Sequence, residues 1–273
     1  MPRDRFKEDK DFEELTSVNS TQHVLETKAV IKKLIPKDTK IIAANESQKK
    51  LIQSIKQNEV TICAGPAGTG KTFVALALAL SLLRKEGNRY KTIYLVKSIK
   101  TLKDEEVGFI KGDLMEKISP SMMSYFINIE KMIMKNTMQS LIMQDIIRPF
   151  PLSYIRGSSL DDCIIIADEM QNVTFDNSRT LLTRIGSNCK LIVLGDINQI
   201  DLKNKHESSL KVLLELFDGV KDIGVVKMSE EDTNIRNPLI NVIEKQYKDY
   251  IETHPVNGNS NGNGNGKKQQ LNG

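Results

Sequence analysis

The chain has no tryptophan, and aromatic residues make up only 5% of its 273 positions. That scarcity weakens any reading as a single-strand nucleic-acid binder built on stacked aromatic platforms. Cysteine is nearly as rare. Cys63, Cys163 and Cys189 each border an apolar run, and none forms a C-x-x-C pair. Such spacing argues against a disulfide framework or a zinc site, and for buried free thiols in a reducing compartment. No secretory leader is legible, because charges crowd Met1–Lys10 from the start. The longest apolar run, Phe73–Leu83, is too short to cross a bilayer. A cytoplasmic protein without membrane contact is the expectation. No strong excess of one charge exists either: 39 basic against 35 acidic residues leave a net +4. That balance permits a nucleic-acid partner without requiring one.

What remains is an ordinary globular composition, 39% hydrophobic and 27% charged, long enough for one large α/β domain. Residues 1–44 are polar with weak periodicity and read as an N-terminal arm outside the main core. The globular domain is expected over 45–253. The segment Asn257–Gly266 reads NGNSNGNGNG with nothing apolar to bury, so 254–273 reads as a disordered tail. Within the core, Leu51, Ile52 and Ile55 share one face of a helix over Ser47–Lys56. Short apolar runs at Val60–Ala64, Lys91–Val96, Cys163–Ala167 and Leu191–Leu194 predict buried strands. Phe73–Arg84 is apolar nearly all round and predicts a covered helix. Met122, Met123, Phe126, Ile129, Met132 and Ile133 predict a long amphipathic helix or helix pair over Ser121–Ile147. Strands alternating with helices imply a mostly parallel sheet covered on both faces.

Residues Gly65, Pro66, Ala67, Gly68, Thr69, Gly70, Lys71 and Thr72 match G-x-x-x-x-G-K-S/T in full. At average residue usage, a chance match in a chain of this length arises on the order of one time in a hundred. A strand before the loop and a helix after it make chance rarer still. Gly65 and Gly70 are expected to let the backbone curl so that successive N–H groups face phosphate oxygens. The following helix adds the positive end of its dipole. Lys71 can reach the β- and γ-phosphates, and the Thr72 hydroxyl can ligate Mg²⁺.

A metal partner for that loop is expected at the end of a parallel neighbouring strand. Cys163–Ala167 followed by Asp168 and Glu169 supplies it. Asp168 would hold Mg²⁺ through water, and Glu169, one residue on, would polarise the attacking water. Leu191–Leu194 leads in the same way into Gly195, Asp196, Ile197, Asn198 and Gln199. Ligands of open parallel sheets bind at the carboxyl ends of strands, and Gln199 there would sense the γ-phosphate or attacking water. Upstream, Gln48 in Asn45–Gln48 offers an amide donor and acceptor that match the N6/N7 edge of adenine. Asn204–Glu207 approximates the guanine-reading N-K-x-D pattern, but with Glu for Asp and no fresh strand before it. Accidental resemblance explains it better, and ATP is the expected nucleotide.

Together these residues resemble the PhoH family, the phosphate-starvation-inducible P-loop ATPases, over roughly Asn45 to Tyr250. The resemblance rests on GPAGTGKT, PLSYIRGSSLDDCIIIADEMQN, LLTRIG with LGDINQID, and EDTNIRNP. It implies a single RecA-like P-loop NTPase domain related to superfamily 1 helicases. It also implies Gln48 as an adenine-reading element and Gln199 as the sensor. Where the family carries Arg-Pro after its second strand, this chain has Lys97-Ser98. The acidic-glycine stretch and G-F-L-P-G that follow become Thr101–Glu106 and Gly108–Gly112. Lysine can contact phosphate but lacks the bidentate fork of arginine, so the resemblance does not by itself extend to polynucleotide or partner contacts of that region. Some relatives bear an N-terminal PIN nuclease domain, for which 45 residues are too few. Short versions of this kind are frequent in bacteriophage genomes, which makes a phage origin the expectation.

Phosphoryl transfer calls for positive charge beyond Lys71 and the metal, usually an arginine. Arg236 lies where the family resembles the helicase arginine motif, and Arg184 is a second candidate. A homo-oligomeric ring supplying an arginine across each interface would meet the need. The expected function is a Mg-dependent ATPase acting on RNA or single-stranded DNA. The alternative is a slow ATP-binding switch that controls a protein partner. A small-molecule kinase is disfavoured, because the tandem acids and G-D-x-x-Q belong to water activation.

Overall fold

The computed structural model describes residues 26–36, 41–98, 114–157, 159–233 and 238–254. Most of the expected arm and nearly all of the expected tail lie outside them, as does the family-variant stretch 101–112. Two compact units result, Met1–Ile235 and Arg236–Gly273, which cuts the expected 45–253 domain near its end.

The first unit opens with helical residues 26–34 (α1). It continues through α2 (Glu46–Gln57), β1 (Val60–Ala64), α3 (Lys71–Arg84), β2 (Thr92–Lys97), α4 (Leu114–Glu130) and α5 (Lys135–Met143). Then follow β3 (Ile147–Pro151), β4 (Cys163–Asp168), α6 (Phe175–Leu182), β5 (Lys190–Gly195), α7 (Ser209–Leu216) and β6 (Ile223–Lys227). The second unit contributes α8 (Pro238–Thr253), which exposes Val242, Ile243, Tyr247 and Tyr250.

The six strands form one sheet in the order β3-β2-β4-β5-β1-β6, with every pairing parallel. Alternation along the strands splits their side chains between two cores. Ile164 and Ile166 face the core made with α1 to α5, whereas Cys163, Ile165 and Ala167 face that made with α6 and α7. Helices thus cover both faces, and β1, β4 and β5 are buried along their whole length. All three cysteines are buried free thiols. Among the described residues no helix is long and apolar enough to cross a membrane.

Several local choices follow from chemistry legible in the chain. Asn45 caps α2, its Oδ1 accepting from the Gln48 amide at 2.8 Å, and Glu46 complements the helix dipole in the first turn. The Met-rich segment divides into α4 and α5 around a turn at 131–134. Tyr125 of α4 donates its hydroxyl to the carbonyls of Val96 (2.8 Å) and Ile166 (3.1 Å), tying the helix to the ends of β2 and β4.

Three features depart from the sequence reading. Ile31 and Ile35 are 1% exposed and belong to the main core, so the segment expected outside it is partly inside. The strand β3 begins inside the expected helical segment and contains Pro149 and Pro151. Proline fits there because β3 lies at the sheet edge, where one row of N–H groups needs no partner. At the opposite edge runs β6, whose Gly224 passes close to α2. A Cβ there would meet the Ser54 hydroxyl and the Asn58 amide.

Candidate nucleotide site

The parallel registers align the strand ends. Ala64 pairs with Gly195 and with Lys227, Ala167 with Val193, and Lys97 with Asp168. The loop after β1, the acids after β4 and the turn after β5 therefore share the carboxyl edge of the sheet. The metal-holding strand was expected beside β1; it is instead one strand removed, because β5 lies between β1 and β4.

The loop Gly65–Thr72 curls through left-handed backbone at Gly68 (φ 89°) and Gly70 (φ 81°), which glycine adopts without a Cβ penalty. Gly65 is required for a different reason from the curling expected of it. A Cβ on it would lie 2.5 Å from the Met228 Cβ, and its own N–H donates to the Gly195 carbonyl at 3.1 Å. Lys71 folds back into the loop and donates to the carbonyls of Gly65 and Pro66, the latter at 2.8 Å. Burial pulls its ammonium below the ordinary value, and the negative charges of Asp168, Asp196 and Glu169 oppose that pull. Thr69 is fully buried, with its hydroxyl on the Pro66 carbonyl at 3.0 Å.

Thr72 donates its hydroxyl to Asp168 Oδ2 at 2.7 Å across 96 residues of sequence. A hydroxyl and a carboxylate in contact are the oxygen donors Mg²⁺ takes, the hydroxyl directly and the carboxylate through a bound water, so this oxygen pair fits the ion. Among the described residues no cluster of three or more His, Cys, Asp or Glu side chains forms a metal cage. An ion held here would take its remaining ligands from phosphate and water.

Glu169 adopts a left-handed backbone, φ 58° and ψ 33°, a conformation that costs a non-glycine residue about 1 kcal/mol or more and clusters at functional sites. The Gln171 amide donates to its Oε2 at 2.7 Å, and the Lys97 ammonium stands 3.8 Å from its Oε1 while donating to Ser124 at 3.1 Å. Asp196 is buried and accepts the Ala67 amide on Oδ2 at 3.1 Å and the Asn198 amide on Oδ1 at 2.9 Å. Gln199 is exposed in the same turn, its N–H on the Asp196 carbonyl at 3.1 Å.

Gln48 is 4% exposed and spends its amide on the protein itself. It donates to the Thr69 carbonyl at 3.0 Å and accepts from Ala44 N–H at 2.9 Å. It braces the phosphate loop in this structure, whereas an adenine-reading amide had been expected. Arg184 lies elsewhere. Its carbonyl accepts from Leu160 at 3.0 Å, at the amino rim of the sheet, and β4 separates the two rims by roughly 17 Å. Within one subunit it is not brought to the phosphate site. Arg236 lies outside the described residues. The N-K-x-E decoy is a local turn: Asn204 Oδ1 accepts from His206 and its Nδ2 donates to Glu207. A cavity of about 350 Å³ adjoins Gly65 and Pro66 on the β6 side, and neither Thr72 nor Asp168 lines it. Asp196, Gln171 and Lys97 were not selected from sequence as site residues. Gln171 lay in plain view within Asp168–Asn172, but nothing local marked where its amide would point.

A parallel sheet with a phosphate loop between β1 and α3, and tandem acids at the end of β4, defines a RecA-like P-loop fold. Residues 40–248 match the family described as PhoH-like protein. The chain is 34% identical to the PhoH-like protein of Bacillus subtilis over 200 residues, covering 73% of this chain and 61% of that one. It is also 34% identical to a Synechocystis PhoH-like protein over 209 residues, covering 76% and 62%. Protein PhoH of Escherichia coli K12 is 34% identical over 200 residues, covering 70% and 54%. This chain belongs to the PhoH family. It spans a little over half the length of those curated relatives. Among solved structures, the large terminase of a thermophilic bacteriophage matches with a TM-score of 0.43 and 10% identity, covering 74% of this chain and 49% of that one. The same terminase in complex with ADP matches with a TM-score of 0.40.

Proposed function

We propose that this chain binds ATP with Mg²⁺ and hydrolyses the β–γ bond. The observation that carries the reading is the Thr72–Asp168 hydrogen bond of 2.7 Å, with Lys71 and Glu169 in the same mouth. Segments almost a hundred residues apart meet there with the donor types a metal-bound triphosphate needs. Thr72 and Asp168 would hold the ion, which when bound neutralises charge on the β- and γ-phosphates. Lys71 would exchange the carbonyls of Gly65 and Pro66 for phosphate oxygens. The loop amides and the start of α3 would orient the chain of phosphates. Glu169 would polarise the attacking water, and Gln199 would hydrogen-bond the water or the γ-phosphate.

Arg184 stands at the far rim of its own subunit, so an arginine contribution from it would have to cross an interface; the reading includes a homo-oligomer, a ring for instance, in which Arg184 or Arg236 acts in that way. The resemblance of its motifs to superfamily 1 helicases is the support for RNA or single-stranded DNA as the polymer acted on, in a cytoplasmic setting, the host cytoplasm if phage-encoded. The experiment is phosphate release from Mg-ATP at several protein concentrations, with and without RNA or single-stranded DNA at low salt, alongside solution mass. Turnover that Glu169→Gln abolishes while nucleotide binding persists is expected. Absence of turnover under every condition would refute hydrolysis. Specific activity unchanged below the assembly concentration would refute the shared arginine. Indifference to both polymers would leave the nucleotide-controlled switch as the better account.

A further inference from the structure

Gln171 is 1% exposed, and every hydrogen bond of its side chain goes to the nucleotide site. Its Nε2 donates to Glu169 Oε2 at 2.7 Å and to the Gln199 carbonyl at 3.2 Å. Its Oε1 accepts from Asp196 N–H at 3.1 Å. The Asp196 carboxylate in turn accepts from Ala67 of the phosphate loop. Only an amide supplies two donors and an acceptor at this spacing: a carboxylate accepts alone, and lysine or arginine donates alone. Space for it is reserved. A Cβ on Gly195 would lie 2.6 Å from Gln171 Oε1.

We propose that Gln171 is the positioning residue that fastens Glu169 to the turn Asp196–Gln199. Through that turn the acid is linked to the phosphate loop, so acid and sensor respond to the nucleotide as one body. The inference rests on the proposed hydrolysis. The need for it lies in Glu169 itself. Its backbone is left-handed where the strand β4 is extended, and its side chain is 43% exposed. Gln171 occupies one carboxylate oxygen and leaves the other beside Lys97 and the mouth of the site. Without that bond the acid sweeps through several rotamers, and the geometry needed to polarise water is populated for a fraction of the time.

The test measures ATP turnover, KM and ADP affinity for the wild type, Gln171→Met and Gln171→Glu. Methionine keeps length and burial but removes all three hydrogen bonds. Glutamate keeps the shape, loses both donors and sets a second carboxylate against Glu169. Both variants should lose about ten- to a hundredfold in kcat, the range seen for groups that orient a reacting shell, with KM and ADP affinity within about twofold of wild type. A purely structural role predicts parallel losses in kcat and ADP affinity, and that result would overturn the proposal. So would unchanged kcat in either variant. Should Gln171→Met fail to fold, Gln171→Glu decides alone by the same kcat criterion. Wild-type protein that releases no phosphate refutes hydrolysis and this inference together, whereas active wild type with an equally active variant refutes only the role of Gln171.

Discussion

Gly65→Ala separates two reasons for a glycine at the head of the phosphate loop. If the position needs backbone freedom, the cost of a methyl is set by local torsion and no neighbour relieves it. In the structure the obstacle is Met228, whose Cβ, Cγ and Cα would lie 2.5, 3.3 and 3.4 Å from the new methyl. Strands β1 and β6 are joined just there, Met228 N–H donating to the Ala64 carbonyl at 2.8 Å. Relief by separating them forfeits a hydrogen bond worth about 1 kcal/mol, and overpacking costs about 1–3 kcal/mol. Gly65→Ala should therefore destabilise the protein by about 2–4 kcal/mol. Met228→Ala keeps the offending Cβ and should bring no relief. Met228→Gly removes it, leaving Cα in ordinary contact. The assay is urea unfolding followed by far-ultraviolet circular dichroism, since the chain has no tryptophan to report. In double-mutant cycles, Gly65→Ala with Met228→Gly should couple favourably by about 1.5 kcal/mol, and with Met228→Ala by less than about 0.5 kcal/mol. Equal coupling in both cycles, or a Gly65→Ala cost under about 0.5 kcal/mol, would refute the steric account.

Lys71→Ala should abolish ADP binding in calorimetry while Glu169→Gln retains it; equal loss in both would remove the role assigned to Glu169. Tyr125→Phe should cost about 1–2 kcal/mol in urea unfolding, because the hydroxyl bridges Val96 and Ile166 carbonyls at the ends of two strands; an unchanged midpoint would show that the bridge is not made. The Cys63 thiol, pushed up to about 12 chiefly by burial, has a folded-state value above its unfolded one. Its contribution is therefore complete below about pH 9 and lost as pH rises towards 12, with a slope of up to about 1.4 kcal/mol per pH unit. Stability of the wild type should fall more steeply over that window than that of Cys63→Ala, and parallel curves would contradict the assignment.

The phosphate loop and the acid strand were legible because their signals are local. Glycines, a lysine and a threonine at set spacing, between a buried strand and an apolar helix, state both a conformation and a chemistry. The same locality explains the misreadings. β3 was hidden because Pro149 and Pro151 look like strand breakers, and only its place at the sheet edge excuses them. Ile31 and Ile35 were hidden in a lysine-rich stretch whose average polarity outweighed two residues four apart. β6 has Gly224 near its start, and that glycine makes sense only against Ser54 and Asn58.

By itself the sequence determined the parallel α/β class, through strands alternating with helices, and the phosphate loop, through chemistry within some ten consecutive positions. Tertiary structure alone decided that β5 stands between the loop and the acids, and that Gly65 yields to Met228. It also turned Gln48 inward to Thr69, set Arg184 on the far rim, and aimed Gln171 at three site elements at once. Those outcomes depend on strand order and on distances between segments up to about 160 residues apart, as with Gly65 and Met228. A chain encodes such contacts only through the packing of the whole sheet, where excluded volume and buried hydrogen-bonding demands select among partners that no local window contains.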